Sequence, residues 1–147
     1  MSIESISPQE AHDRASRTEG AIHLDVRTVE EFSAGHPAKA YNVPLLQRDR
    51  AGQMAPNPEF LAVVRKNFAA DTPLFVACNS GGRSLRAAEI LEAAGFTDVV
   101  NVRAGFGGAR DASGRIVEPG WAASGLPVEV EPRPGASYES LKAKGRS

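Results

Sequence analysis

The chain has 147 residues, 41% of them hydrophobic and 24% charged, with 17 Lys+Arg against 18 Asp+Glu for a formal net charge of −1. That length suits one domain around one core, and that mixture excludes a chain that is mainly disordered. The balanced charge supplies no field to draw a phosphate backbone or an anionic lipid surface, so neither nucleic acid nor a membrane is an expected partner.

Apolar runs are only a few residues long, and the first ten residues carry neither a basic nor an apolar region, so the reading is of a cytoplasmic chain without signal peptide or membrane span. The single cysteine, Cys78, excludes an intrachain disulfide, a zinc site of several thiolates and a two-cysteine redox motif.

In chain order, Ser7-Pro8-Gln9-Glu10 has the spacing of a capping box with Pro in the first turn, predicting a helix over 8–17. Residues 21–26 read as a strand, and Thr28-Val29-Glu30-Glu31 repeats the capping spacing for a short helix ended by Gly35. Residues 41–43 read as a strand, 47–56 as a loop, and Asn57-Pro58 as the opening of a helix with Phe60, Leu61, Val64 and Phe68 on one apolar face. Residues 74–77 are continuously apolar, as in a strand covered on both faces, and are expected at the centre of the sheet. A helix over 84–94, stopped by Gly95, and a strand over 98–102 follow. The six glycines of 105–125 suit a surface loop with Trp121 plugged back onto the domain, and the polar, Pro-containing 128–147 reads as a flexible or loosely docked tail. Strands alternating with helices imply an α/β sandwich of about five mostly parallel strands between helix layers.

The chemistry concentrates in Cys78-Asn79-Ser80-Gly81-Gly82-Arg83-Ser84, between the central strand and a helix. Ligands of parallel sheets collect at carboxyl ends of strands, where the unpaired amides of a helix start favour an anion. Gly81 and Gly82 admit backbone angles that turn successive amides into one concavity, and Arg83 adds a permanent, planar set of donors. A free thiol titrates near 8.5, and such surroundings bring it to about 3.5–7.5, making Cys78 the candidate nucleophile. The bland alternative is a small buried apolar residue closing a strand. His12, His23 and His36 lack ligand spacing and read as packing or surface residues; no metal and no cofactor is expected.

The loop at 78–84 resembles the active-site loop of rhodanese-family sulfurtransferases. Leu24-Asp25-Val26-Arg27 with Glu30-Glu31-Phe32 and Gly35-His36 resembles that family's second recurrent segment, and Gly120-Trp121 through Gly125-Leu126-Pro127 its closing segment. The likeness spans 3–127 in the family's order, and departs from it at Pro37 and Lys39, where the family often has Ile and Gly, and at an apparent insertion over 109–119. It implies a rhodanese-like three-layer sandwich over 1–127, a Cys78 persulfide, binding by Asn79, Ser80, Gly81, Gly82, Arg83 and Ser84, and a bracing role for Asp25 and Arg27, for which an ordinary ion pair is the alternative. The implied reaction moves a sulfane sulfur from a donor such as thiosulfate to a thiol or cyanide, either a small molecule or a partner protein's thiol. Alternatives on the same residues are a persulfide carrier or interaction module, and a phosphatase or arsenate reductase. That last branch sets one more residue between Cys and Arg than the four found between Cys78 and Arg83.

Overall fold

The ladder partners of each strand show how the chain assembles in the computed structural model, which describes residues 3–80 and 82–144. Strand β1 (Glu4–Ile6) leads into α1 (Pro8–Ser16), where Ser7 Oγ accepts from the Glu10 amide and Pro8 fills a first-turn position that needs no donor. Strand β2 (Ile22–Asp25) leads into α2 (Val29–Ser33), whose Thr28 and Glu31 form the expected reciprocal cap. Next come β3 (His36–Pro37), β4 (Tyr41–Asn42), β5 (Leu46–Arg48), β6 (Met54–Pro56), α3 (Phe60–Asn67), β7 (Leu74–Ala77), α4 (Gly82–Ala93) and β8 (Val99–Val102). The chain continues through β9 (Ala109–Arg110), β10 (Ile116–Glu118), β11 (Val128–Glu129) and α5 (Tyr138–Lys144).

Five strands pair in the order β1-β8-β7-β2-β4, every pair parallel, and β7 is central as its uninterrupted apolar sequence predicts. Alternation along the strands sorts the core into two layers. Leu24, Leu74 and Val76 face Phe60 and Val64 of α3, Ala87 and Leu91 of α4, and Tyr138 and Leu141 of α5. On the other face Phe75, Ala77, Val100 and Val102 pack with Ile6 and with Ala11 of α1. Each fully buried side chain of this size contributes about 1.5–3 kcal/mol, and the sandwich expected from the sequence is the fold observed.

The structure departs from expectation in the connections. Residues 46–56 form the antiparallel β5–β6 hairpin rather than a loop, because Asp49 Oδ1 accepts from the amides of Ala51 and Gln53 and closes the turn. Residues 109–118 form a second hairpin, β9–β10, closed in the same way by Asp111. The glycines of 105–108 are not an exposed loop: Gly105 and Gly107 pack beneath the chain at 78–79, and Gly108 is buried against 116–120. The segment after Pro127 is docked at β11, at Ala136 and through α5, with 130–135 exposed between them. Strand β11 pairs with β3, the Asn42 amide on the sheet edge donates to Ala136 O, and Tyr138 and Leu141 are 6% and 2% exposed. Two apolar side chains one helical turn apart sufficed to bury a short helix that composition alone gave as a loose end.

Candidate active site

The site is built at the carboxyl end of β7, where Cys78 follows the central strand and α4 begins four residues later. Cys78 is 1% exposed. Its Sγ donates to Ser84 Oγ at 3.4 Å, and Ser84, itself fully buried, donates to Asn101 Oδ1 on β8 at 2.6 Å. Asn79 and Ser80 are exposed, and Gly81 lies outside the described residues. Gly82 is the first residue of α4, in ordinary helical backbone with open space where a Cβ would stand, so the special conformation expected of it is not required. The first-turn amides of α4 have no carbonyl partners inside the helix and carry its positive end, which suits an anion at that point.

Arg83 does not point freely toward the loop. Its Nη1 and Nη2 donate to Glu31 Oε1 at 2.7 Å and Oε2 at 3.0 Å, a forked pair that leaves the arginine side chain 23% exposed. Glu31 also caps α2 and accepts from the Thr28 hydroxyl, and the Arg83 hydrogen bonds hold its carboxyl down at about 2. The same contact raises the Arg83 guanidinium, with smaller contributions from Cys78 and Asp25, which places its charge within electrostatic reach of the sulfur. One carboxylate therefore serves both a helix cap and the site's cation. The capping box concealed the second use, although Glu31 was legible as a motif residue.

Asp25 and Arg27 form a buried ion pair at 2.8 Å, with Arg27 Nη2 also donating to Gly35 O. The guanidinium lies 4.5 Å from the Phe106 ring centroid, and Phe106 N donates to Cys78 O at 2.8 Å, so the pair does reach the loop, through an aromatic ring. Gly107 N donates to Asn79 O at 2.8 Å. Gly105, at φ +48°, passes so close to the Cys78 carbonyl that a Cβ would overlap it, and a Cβ on Gly107 would overlap the Asn79 side chain. The 104–108 turn is thus the floor of the site. Its signal in the sequence was glycine spacing, which reads equally well as a surface loop.

His36 is buried and stacked on Phe32, with Nδ1 2.7 Å from Phe32 O, while His12 and His23 set their rings edge-on to Trp121. All three pack rather than converge. Among the described residues no group of His, Cys, Asp and Glu could hold a metal ion, and no helix is long and apolar enough to cross a membrane.

A profile of the Rhodanese-like domain matches residues 7–112, a span holding β7, Cys78, α4 and the Asp25–Glu31 segment. The chain belongs to the rhodanese-like family. It is 40% identical over 126 residues to Thiosulfate sulfurtransferase 16, chloroplastic, of Arabidopsis thaliana, covering 86% of this chain and 92% of that one. Over 87 residues it is 40% identical to Protein HIGH ARSENIC CONTENT 1, mitochondrial, of the same plant, covering 59% of this chain and 51% of that one. The crystal structure of Rv0390 from M. tuberculosis superposes with a TM-score of 0.74 at 32% identity, covering 89% of this rhodanese-like chain and all of the other.

Proposed function

We propose that this rhodanese-like protein is a sulfurtransferase that carries sulfane sulfur as a persulfide on Cys78. The observation that supports it most is the placement of the chain's sole thiol at the end of the central strand, against the start of α4 and within electrostatic reach of Arg83. The Cys78 thiolate attacks the outer sulfur of thiosulfate; the S–S bond of the donor breaks and its electron pair leaves with sulfite. The α4 amides and Arg83 offset the negative charge of donor and leaving group. An acceptor, cyanide or a thiol of a small molecule or partner protein, then attacks the outer sulfur of the persulfide and releases Cys78 as thiolate. No second cysteine of this chain can take the sulfur, so the acceptor comes from outside it.

Steady-state assay with thiosulfate and cyanide tests the reading. Thiocyanate and sulfite form in equal amounts with the native protein and not with Cys78→Ser; turnover that survives Cys78→Ser overturns it. The Glu31 contact favours a second reading, a persulfide carrier, because it occupies the cation that a doubly charged donor needs. A carrier loads once from the donor and turns over only with a partner. The arsenate-reductase and phosphatase reading requires a wider ring than four residues between Cys78 and Arg83 provide, and measurable hydrolysis of an aryl phosphate by the native protein would restore it.

A further inference from the structure

A chain of polar side chains runs from Cys78 to the surface, and two of its members, Asn101 and Ser5, stand on strands to which the sequence assigned no function. Cys78 Sγ donates to Ser84 Oγ (3.4 Å), Ser84 Oγ to Asn101 Oδ1 (2.6 Å) and Asn101 Nδ2 to Ser5 Oγ (3.1 Å). The fold fixes the spacing: Ser5 and Asn101 are register partners in the β1–β8 ladder, Val76 is opposite Asn101 on β7, and Ser84 sits in the first turns of α4. Cys78, Ser84 and Asn101 are buried, whereas Ser5 is exposed.

A serine hydroxyl carries one proton and an amide is donor at one atom and acceptor at the other. With Cys78 as thiol, each of these three hydrogen bonds points away from the sulfur. With Cys78 as thiolate the sulfur can only accept, so the Ser84 hydroxyl turns toward it and two acceptor oxygens are left facing each other between Ser84 and Asn101. A half-turn of the amide removes that clash: Nδ2 then donates to Ser84 Oγ, and Oδ1 accepts from Ser5, whose exposed hydroxyl is free to rotate. Each hydrogen bond is remade in the opposite sense, with the heavy atoms in place.

We infer that Asn101 is a positioning residue whose reversible amide lets Ser84 serve Cys78 both as thiol and as thiolate. A carboxylate at that place only accepts and keeps the Ser84 proton away from sulfur; a leucine, branched like asparagine but apolar, cannot hold that proton. In turnover this inference rests on Cys78 being the nucleophile, but the reversal itself is read without any sulfur donor. Among the described residues, Arg83 of α4 acts on the sulfur directly, with Glu31 of α2 paired to it and Asp25, which ends β2, paired to Arg27, and changes at Asn101 leave all four in place.

The test is the pH profile of Cys78 alkylation by iodoacetamide, in which the sole cysteine makes the signal unambiguous. Asn101→Leu should move the midpoint down and Asn101→Asp up, each by about one pH unit, a tenfold change in rate on the rising limb. In a Ser84→Ala background the leucine shift should vanish and the aspartate shift fall from about tenfold to about twofold in rate, since only its through-space charge remains. Shifts of the same sign in both variants, or a leucine shift that survives Ser84→Ala, would overturn the assignment. Should Asn101→Leu fail to fold, the isosteric Asn101→Asp decides alone: an unmoved profile, or one equally displaced without Ser84, contradicts it. A native protein inactive toward thiosulfate leaves these outcomes readable, so the two proposals fail separately.

Discussion

Arg83 and Glu31 show what one side chain changes. As long as the carboxylate grips both guanidinium edges, a thiosulfate dianion must compete with it for the same donors. Arg83→Ala should raise the Michaelis constant for thiosulfate by about 10–100-fold, the scale of a charge-assisted hydrogen bond. Arg83→Lys should recover part of that, because a point charge cannot make two parallel N–H bonds. Glu31→Gln should lower the Michaelis constant by about 3–10-fold by releasing the cation. Steady-state kinetics on the three variants checks this, and a rise in Glu31→Gln would make the carboxylate a support for Arg83 rather than a competitor. Cys78 and Arg83 were legible because the loop lies between a strand and a helix in an unbroken stretch of sequence. Glu31 and Asn101 stand 52 and 17 residues from their partners in the site, and only the parallel order of the strands brings them there.

Among elements, the 104–108 turn carries the loop. Gly105→Ala would push a methyl into the Cys78 carbonyl at a positive φ, and should cost about 1–3 kcal/mol of stability along with most activity. Gly82→Ala, with open space at its Cβ and helical backbone, should leave urea stability unchanged or raise it by about 0.5–1 kcal/mol. Lys39 provides the opposite case. It stands at φ +73°, where the family often has glycine, held by its amide on Glu129 Oε1 and its carbonyl under Arg133. Lys39→Gly keeps both backbone contacts, removes the strain and should gain about 0.5–1 kcal/mol in urea unfolding. The parallel strands and main helices were readable because period and caps agreed. The two hairpins were not, since their strands are two or three residues long and show no alternation. A signal was nonetheless present: Arg48-Asp49-Arg50-Ala51-Gly52 and Arg110-Asp111-Ala112-Ser113-Gly114 share an Arg-Asp-x-x-Gly pattern. In both, the Asp side chain gathers the turn amides and the Arg donates to the Gly carbonyl.

For the whole molecule, acid and the docked tail set the stability. Burial, with a smaller contribution from His12, pushes His23 down to about 4 from 6.5, and its Nε2 has no hydrogen-bond partner among the described residues. Between those values the unfolded chain binds a proton that the folded one refuses, so the stabilisation is complete above about pH 6.5 and is lost as pH falls toward 4. Glu31, depressed to about 2 by Arg83, adds a second loss beginning near its ordinary value of 4.5. Urea unfolding should therefore show the native protein weaker by about 2–3 kcal/mol near pH 4.5 than near pH 7, and His23→Phe should flatten that interval. Leu141→Ala, on a helix that composition gave as loose, should cost about 2–5 kcal/mol because the side chain lies in the core beside Tyr138 and α3. A tail bound only weakly would lose almost nothing.

The central claim is that sulfur travels on Cys78. Intact-mass measurement after incubation with thiosulfate, with peptide mapping and then addition of cyanide, tests it most directly. The account predicts a gain of one sulfur atom per chain, located on Cys78, absent in Cys78→Ser and removed by cyanide as thiocyanate. Sulfite release from an unmodified Cys78 would contradict it.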